Sequence, residues 1–221
     1  MTTNLMIAVV AYTKISRAIG FQGQIPWRSP KDFKFFRTIT LNSAMIVGKN
    51  TLYSLPKLLP HRHHVVVTQN TNNLINSSWV TEQKNRLGEE TVCRYLHPVI
   101  SLTHAKNKAI QIIEQKPELQ RFIYVIGGAL IYHQLLPDLS YIIATEIDCP
   151  IDIQADRYFP KLPTENWHQC ERYSTKDDGL GLDFCLYQNQ LKPPHDQIYP
   201  DLVQLFYSAI RQAEQATNSE N

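Results

Sequence analysis

RFIYVIGGALIYHQL, residues 121–135, changes its pattern at two adjacent glycines. The run before Gly127 is continuously apolar and rich in β-branched and aromatic side chains, which is typical of a buried strand. After Gly128 the apolar residues recur at helical spacing, so a helix is predicted to begin at the turn. The stretch therefore predicts a strand that leads through a glycine turn directly into a helix.

Four other runs have the composition of this first strand: LMIAVVA, SAMIVG, HHVVVTQ and YIIATEID. Their apolarity is continuous rather than alternating, which favours strands covered on both faces in a mainly parallel sheet flanked by helices. Helices are predicted over residues 30–40, 51–55, 101–115 and 129–136. WHQCERYS and FCLYQNQ, joined by the turn-rich TKDDGLGL, predict an antiparallel hairpin at the edge. The fold class is therefore α/β with a mixed sheet.

The composition favours one globular domain that binds a small molecule. The chain has 221 residues, of which 43% are hydrophobic, and 22 Lys and Arg stand against 20 Asp and Glu. A balanced charge without a long basic run argues against a nucleic-acid or membrane surface. The apolar run at residues 5–11 is too short to span a bilayer and lacks the features of a signal peptide.

Cysteine and histidine spacing gives no disulfide or metal signal. No C-x-x-C pair occurs, and the thiols are far apart in the sequence, at Cys93, Cys149, Cys170 and Cys185. Reduced thiols in the cytoplasm are therefore expected. His61, His63 and His64 cluster, but no acid or cysteine stands near them at ligand spacing, so no metal site is predicted.

Two segments extend this plan. Residues 81–98 are polar and separate a strand from a helix by more than an ordinary connection, so a surface loop or excursion inserted in the domain is predicted. Residues 1–190 are assigned to the domain, and residues 191–221 to a proline-marked linker and an amphipathic helix over residues 201–216. Docking of this helix on its own chain is expected, which makes the protein a monomer, and a dimer contact stays open. The apolar stripe of the helix consists of Leu202, Leu205, Phe206, Ala209, Ile210 and Ala213.

The single acid of GQIPWRSPKDFKFF, residues 23–36, is surrounded by aromatic residues. Ser29 fits the N-cap of a helix, the next proline its first position, and Asp32 the third, where an acid completes a capping box. Asp32 also shares a helical face with Phe35 and Phe36, which predicts a desolvated carboxylate with a perturbed pKa. The stretch alone supports both a helix cap and a catalytic acid.

Two strand-to-helix turns are suited to bind anions. The turn at Gly127 and Gly128 leaves backbone N–H groups and a helix N-terminus free, although it is not G-x-G-x-x-G. The second turn, in MIVGKNT, resembles the end of a P-loop, but that motif requires glycine five residues before Gly48, where Ser43 stands. The nucleoside triphosphatase interpretation therefore fails. Two anion-binding turns, one carrying Lys49, fit the phosphates of a dinucleotide.

Six blocks, in this order and spacing, resemble dihydrofolate reductase: IGFQGQIPWRSPKDFKFFR, VGKNTLYSL, LPHR, VIGGALIYHQLLP, ATEID and ADRYFP. The resemblance covers about residues 6–187, and its most specific part is the Pro-Trp pair with an acid five residues after Trp27. It implies an eight-stranded, largely parallel sheet, NADPH as cofactor, and reduction of 7,8-dihydrofolate to tetrahydrofolate, which supplies one-carbon metabolism and nucleotide synthesis. Antifolates are implied as further ligands.

On the substrate side, the resemblance implies that Asp32 accepts hydrogen bonds from the pterin, that Thr145 orients Asp32, and that Trp27 belongs to the catalytic group. The backbone carbonyls of Val10 and Ile126 would face an amino group of diaminopyrimidine inhibitors, and Arg62 would bind the α-carboxylate of the glutamate tail. The substrate contacts implied besides Asp32 and Thr145 are Val10, Ala11, Phe36, Leu55, Leu59, Ile126 and Arg62.

On the cofactor side, the resemblance implies a mobile loop over residues 19–27 that closes over the nicotinamide. Gly127 and Gly128 match a pair that the family joins by a cis peptide. Lys49 is implied for the 2′-phosphate and Thr51 for the pyrophosphate. The remaining implied cofactor contacts are Ala11, Ile19, Gly20, Asn50, Thr68, Gln69, Ala129, Leu130 and Tyr132.

Four positions depart from the family pattern. Leu130 and Gln69 stand where relatives often have arginine and serine, so the preference for NADPH over NADH is expected to depend on Lys49. Tyr12 replaces a small residue and Ile25 a methionine or leucine. Both are expected to change antifolate affinity more than turnover.

Two other functions stay open. One is a related reductase that acts on a pyrimidine intermediate of flavin synthesis, although the spacing from Trp27 to Asp32 and the presence of Arg62 suit a pterin with a glutamate tail. The other is a non-enzymatic dinucleotide-binding module whose tail helix recruits a partner. A module of that kind does not require Asp32 and Thr145 together.

Overall fold

The continuous apolar runs become the central strands of one eight-stranded sheet. The structure, a computed structural model, describes residues 5–149, 153–193 and 198–216. Its strands are β1 (Leu5–Thr13), β2 (Ala18–Gly20), β3 (Ser43–Gly48), β4 (Arg62–Val67), β5 (Leu96–Val99), β6 (Phe122–Val125), β7 (Tyr141–Asp148), β8 (Arg157–Tyr158), β9 (Trp167–Asp177) and β10 (Leu180–Asn189).

The strand order across the sheet is β5-β4-β3-β6-β1-β7-β10-β9, and β2 pairs separately with β8. Neighbours from β5 to β7 run parallel. β10 runs antiparallel to both β7 and β9, so the expected hairpin forms that edge. The predicted mixed, mainly parallel sheet is therefore confirmed.

The predicted helices form where the sequence places them. Three predictions, over residues 30–40, 101–115 and 129–136, agree with the structure to one residue at each end. The fourth helix begins two residues before its predicted start, because its N-cap is Gly48, which has no side chain to signal it. The helices of the described residues are α1 (Pro30–Ile39), α2 (Lys49–Ser54), α3 (Thr71–Ile75), α4 (Ser78–Leu87), α5 (Glu89–Tyr95), α6 (Leu102–Gln115), α7 (Ala129–Leu135) and α8 (Tyr199–Ala216).

Of the two forms expected for residues 81–98, the surface loop is wrong, and the insertion of this segment into the domain stays a prediction. This stretch contains most of α4, all of α5 and the start of β5, which pairs with β4. Val80 and Val92 are buried, and the Gln83 side chain, also buried, accepts a hydrogen bond from the Leu58 amide at 2.9 Å. A polar composition thus concealed two helices whose buried faces are narrow, separated by Gly88.

The two faces of the sheet carry two apolar clusters. One contains Phe35 of α1, Phe184 of β10 and Phe206 of α8. The other contains Ala105 and Ala109 of α6. Helices therefore cover both faces, as the continuous apolarity of the strands indicates. In such a sheet ligands bind outside the carboxyl ends of the strands.

The tail helix packs on its own chain, as expected. It begins two residues before the predicted start, at Tyr199. Leu205 is partly buried, and the other stripe residues are fully buried: Leu202, Phe206, Ala209, Ile210 and Ala213. Part of the predicted linker, residues 194–197, lies outside the described residues. A dimer contact stays an untested prediction.

Within the described ranges, no helix is both long and apolar enough to cross a membrane. All four cysteines lie in those ranges and have free thiols. The described residues contain no group of three or more potential ligands that could hold a metal ion.

Candidate active site

A long cleft lies at the carboxyl ends of the parallel strands. Its volume is about 1940 Å³. Ligand pockets of roughly 300–1,000 Å³ are usual, so the cleft has room for two ligands side by side. β1 contributes Val9, Val10 and Ala11, and β7 contributes Thr145.

The acid in the aromatic stretch lies inside this cleft. Ser29 is the N-cap of α1, and its Oγ accepts a hydrogen bond from the Asp32 amide at 3.1 Å. The predicted cap is thus confirmed for the backbone of Asp32. Its side chain lines the cleft and is only 7% exposed. Both interpretations of the stretch therefore apply to Asp32. Its amide takes part in the helix cap, and its carboxyl group is placed to act as a catalytic acid.

The surroundings of Asp32 raise its pKa from 3.8 to about 6. Burial is the largest cause, because a carboxylate loses hydration when it is removed from water. The Thr145 hydroxyl, which hydrogen-bonds to Asp32, opposes this shift, and the negative charge of Asp177 adds to it. An acid with a pKa near neutrality can carry or give up a proton at physiological pH.

Asp177 was not identified from the sequence. It ends β9, is 5% exposed, and its Oδ2 accepts hydrogen bonds from Ser29 Oγ at 2.6 Å and from the Lys31 amide at 2.9 Å. A carboxylate at a helix N-terminus is stabilised by the free N–H groups and by the helix dipole. Only the fold brings this acid, from a distant hairpin, to the first turn of α1.

Trp27 also lines the cleft and is 8% exposed. Its indole Nε1 is buried and has no hydrogen-bond acceptor among the described residues. A buried N–H without an acceptor costs on the order of 1–3 kcal/mol. An acceptor on a molecule in the cleft would remove that cost.

Arg62 is held at the cleft wall by three hydrogen bonds. Its Nε donates to Thr40 Oγ1 at 2.9 Å, and its two terminal nitrogens donate to the carbonyls of Pro60 at 2.8 Å and Arg37 at 2.7 Å. The Arg62 side chain is only 2% exposed. Burial, with the nearby Arg37 charge, lowers its pKa to about 10, which leaves it cationic at neutral pH. A guanidinium has five N–H donors, so two can still bind an anion.

The two glycine turns meet at the other part of the cleft. The Gly48 amide donates to the Gly127 carbonyl at 2.7 Å, and the peptide between Gly127 and Gly128 is cis, as the resemblance implied. A Cβ on Gly128 would lie 2.8 Å from Thr51 Oγ1, so the two turns approach this closely only with glycine there. Neither Gly48 nor Gly128, the N-caps of α2 and α7, has a side chain that caps its helix. The first N–H groups of both helices are therefore available to an anion.

A family model described as dihydrofolate reductase matches residues 6–190. The chain belongs to the dihydrofolate reductase family. It is 32% identical to dihydrofolate reductase type 9 of Escherichia coli over 150 residues, which are 67% of this chain and 74% of that protein. It is 27% identical to the dihydrofolate reductase of Neisseria gonorrhoeae over 181 residues, 81% of this chain and 94% of that protein.

A solved structure has the same fold. Dihydrofolate reductase from Enterococcus faecalis, complexed with NADP(H) and RAB-propyl, matches with a TM-score of 0.63 and 19% identity, covering 85% of this chain and 97% of that chain. The family and its fold identify the chain as an NADP-dependent oxidoreductase. This membership counts against both alternative functions considered from the sequence.

The cleft collects nearly all positions that the dihydrofolate reductase resemblance implies. Gly127 is the exception, because it stands behind the cleft wall with φ 104°, and a Cβ there would come within 2.9 Å of the Tyr132 ring. Tyr132 itself is buried, and its hydroxyl donates to the Val9 carbonyl at 2.7 Å. The implied positions that line the cleft besides Asp32, Thr145, Trp27 and Arg62 are Val10, Ala11, Ile19, Gly20, Phe36, Lys49, Asn50, Thr51, Leu55, Leu59, Thr68, Gln69, Ile126, Gly128, Ala129, Leu130 and Tyr132.

The cleft carries an excess of positive charge, although the charge of the whole chain is nearly balanced. Among the described residues its carboxylates are those of Asp32 and Asp156, whereas its lysines and arginines are Arg28, Arg37, Lys49, Lys57, Arg62 and Arg157. These cations come from different elements and form no run in the sequence, so only the fold assembles them. An excess of positive charge suits ligands with several phosphates and carboxylates.

The loop over residues 19–27 lies along the cleft. Its amide at Gln22 donates to Asp156 Oδ2 at 3.2 Å, and the Asp156 amide donates to the Gly20 carbonyl at 3.0 Å. Ile25 lines the cleft and is 48% exposed. Ile25 can therefore contact a ligand, as its departure from the family pattern suggested, and the mobility of the loop stays a prediction.

The expectation for Tyr12 does not fit the structure. Tyr12 is absent from the cleft wall and is 2% exposed on the other side of β1. Its hydroxyl donates to Glu146 Oε1 at 2.6 Å, and its ring stacks on Phe159 at 5.4 Å between centroids. Side chains alternate along a strand, so Tyr12 points away from the face that Ala11 presents. A direct effect of Tyr12 on antifolate affinity is therefore not expected.

Proposed function

We propose that this protein reduces 7,8-dihydrofolate to 5,6,7,8-tetrahydrofolate with NADPH, by hydride transfer to C6 of the pterin and protonation of N5. The buried carboxyl group of Asp32, held against Thr145 in a cleft with room for two ligands, carries this proposal. It supplies the ionisable group that a pterin requires, at the position where the family motif has its acid. The tetrahydrofolate formed would serve one-carbon metabolism and nucleotide synthesis in the cytoplasm.

Asp32 accepts hydrogen bonds from N3 and the 2-amino group of the pterin, and Thr145 holds the carboxylate in the orientation for both. The carbonyls of Val10 and Ile126 face the amino group of diaminopyrimidine antifolates. The aminobenzoyl ring packs between Phe36, Leu55 and Leu59, and the two uncommitted N–H groups of Arg62 bind the α-carboxylate of the glutamate tail. The three hydrogen bonds that fix Arg62 keep this fork oriented before substrate arrives.

The second half of the cleft fits NADPH. The uncapped first turns of α2 and α7, joined by the hydrogen bond from Gly48 to Gly127, face the pyrophosphate with Thr51 and Ala129. Lys49 meets the 2′-phosphate. The other cofactor contacts are Ala11, Ile19, Gly20, Asn50, Thr68, Gln69, Gly128, Leu130 and Tyr132, with Gly127 supporting the turn from behind.

When bound, NADPH supplies the hydride. The chain aligns the two ligands, excludes bulk water through Trp27 and the loop over residues 19–27, and sets the protonation of Asp32. Because the pKa of Asp32 is raised to about 6, the protonated fraction at neutral pH is small and falls as the pH rises. Turnover is therefore expected to decline above about pH 6, whether Asp32 passes its proton to N5 through water or promotes protonation through the ring.

Loss of NADPH absorbance on addition of dihydrofolate tests the proposal. The parent protein is expected to turn over, and Asp32→Asn is expected to lose at least about 100-fold in kcat at pH 7, because the asparagine cannot hold the proton. The NADPH affinity of the variant serves as the control and should not change. No turnover in a folded parent that binds NADPH would contradict the proposed substrate and favour a related heterocycle.

Lys49→Ala tests the cofactor assignment. Loss of the cation should lower kcat/KM for NADPH by about tenfold and leave that for NADH nearly unchanged, because only NADPH carries the 2′-phosphate. The ratio of the two values is the measurement, and Lys57→Ala, which removes a cation from another part of the cleft, is the matched control. An unchanged ratio would remove Lys49 from the 2′-phosphate site.

A further inference from the structure

The tail helix α8 lies outside the residues that the family model matches, which end at residue 190. It packs chiefly on α1, the helix that carries Asp32 and Phe36. An appended element that covers the helix bearing the candidate catalytic acid is placed to act on that acid.

The most specific contact joins the two helices through an ion pair between a buried lysine and a partly exposed glutamate. Lys31 Nζ lies 2.7 Å from Glu214 Oε2 and donates to Thr175 Oγ1 at 3.1 Å. The Lys31 side chain is only 9% exposed, against 31% for Glu214. Lys31 precedes Asp32 in the first turn of α1, and its amide is held by Asp177. If a buried ammonium group loses its partner, it must move toward water, because an unpaired buried charge is costly.

Apolar and polar contacts seat the rest of α8. Phe206 packs edge-on against Phe35 of α1, with ring centroids 5.7 Å apart. Near the other end of α1, Thr38 Oγ1 donates to Gln212 Oε1 at 3.1 Å. The hydroxyls of Tyr199 and Tyr207 donate to the two carboxylate oxygens of Glu171 on β9, at 3.0 and 2.6 Å.

The contacts divide α1 into two faces. Lys31, Phe35 and Thr38 meet α8, at the spacing of one helical stripe. Asp32, Phe33, Phe36 and Arg37 line the cleft, and Phe35, which contacts Phe206 of α8, also reaches the cleft wall between the two faces. A movement of α1 away from α8 would therefore carry the cleft-lining side chains with it.

We propose that α8 is a positioning element for the reaction. Through Lys31, Glu214 holds the first turn of α1, which keeps the Asp32 carboxyl group correctly placed against the substrate. This proposal rests on the proposed function for its kinetic consequence. Glu214 and Lys31 are positioning residues, since neither lies on the cleft wall among the described residues.

The test compares Glu214→Gln with the matched control Arg211→Gln, which alters an exposed charge on the same helix. Glu214→Gln should raise KM for dihydrofolate and Kd for methotrexate by about fivefold or more, because misplacement of a reacting group is costly. The Kd for NADPH, none of whose proposed contacts belongs to α1, should stay within about twofold. Hydrogen exchange of the α1 amides should accelerate in Glu214→Gln and not in the control.

A charge exchange separates positioning from general stability. Lys31→Glu should resemble Glu214→Gln, and the double variant Lys31→Glu/Glu214→Lys should recover KM toward the parent value. If all variants lower the melting temperature while KM and methotrexate affinity stay at parent values, α8 only stabilises the fold and the proposal is wrong. If the parent itself does not reduce dihydrofolate, the proposed function fails first, and the exchange rates of α1 alone then decide whether α8 holds this helix.

Discussion

Asp32 combines two roles that one residue can hold because its amide and its carboxyl group point to different places. The amide donates a hydrogen bond to the N-cap residue Ser29, as a local sequence pattern predicts. The carboxyl group enters the cleft, where burial raises its pKa, Thr145 opposes the shift and Asp177 adds to it. Catalytic groups of this kind are commonly held at the expense of stability.

Asp32→Asn is expected to stabilise the fold, by an amount that depends on pH. The pKa is about 6 in the folded protein and 3.8 as the ordinary value, so above pH 6 the carboxylate is ionised in both states and its burial destabilises the folded one. At 1.36 kcal/mol per pKa unit this is about 3 kcal/mol at pH 8. As the pH falls through 6 the folded state takes up the proton first, and the penalty drops to about half by pH 5. Urea denaturation at both pH values measures it, and a gain independent of pH would contradict the burial of a charged Asp32.

At the scale of elements, the first turn of α1 is held by its own N-cap residue and by groups from two other elements. Ser29 precedes α1, Asp177 ends β9, and Glu214 belongs to α8. The capping pattern predicted where α1 begins, and it gave no sign of the other two carboxylates. The pattern reports residues three or four apart, whereas Asp177 is 148 residues from Ser29.

Asp177→Asn is expected to lower the pKa of Asp32, because a negative charge that raises it is removed while an acceptor for Ser29 remains. The decline of turnover with rising pH should therefore begin at lower pH than in the parent. Asp178→Asn is a close control, since Asp178 is adjacent and exposed, and asparagine tolerates its φ of 47°. A pH profile equal to that of the parent would show that Asp177 only holds the helix.

At the scale of the whole molecule, three histidines on β4 and β5 affect stability in the direction opposite to Asp32. Ionised Asp32 destabilises the folded protein at high pH, whereas the neutral, buried histidines stabilise it there. His63 and His97 face each other at 3.0 Å between Nδ1 and Nε2, and His64 is fully buried. Burial lowers the pKa of His64 to about 3 and that of His97 to about 4, and it also lowers the pKa of His63. Cations near these rings, such as Arg62 for His64, add to the shifts.

We expect the free energy of unfolding to fall as the pH drops from 6.5 toward 4. The unfolded chain takes up protons on these histidines near the ordinary pKa of 6.5, whereas the folded protein keeps them neutral. Their stabilising effect is therefore complete above pH 6.5 and is lost below it. Urea denaturation across this range gives the slope, which His97→Gln should reduce. An identical slope for His97→Gln and the exposed control His104→Gln would argue against this origin.

The sequence by itself determined the α/β class, the central strands, five helices including the tail helix, the cap of α1 and the two glycine turns. All of these depend on residues close together in the chain, where periodicity and backbone preference act directly. The family resemblance predicted the cleft residues, because it implies a known fold in which the matching positions lie together. The polar helices over residues 81–98 were not predicted, because each buries so few residues that the sequence shows no helical periodicity of apolar side chains.

Only the tertiary structure decided what surrounds each functional group. It buried Arg62, turned Tyr12 away from the cleft, brought Asp177 beside Asp32 and seated α8 against α1. These features arise between segments far apart in sequence, and no local pattern encodes which of them meet. Burial and neighbouring charge act through distance in space, so the pKa of Asp32 follows from the fold rather than from the residues adjacent to it in the chain.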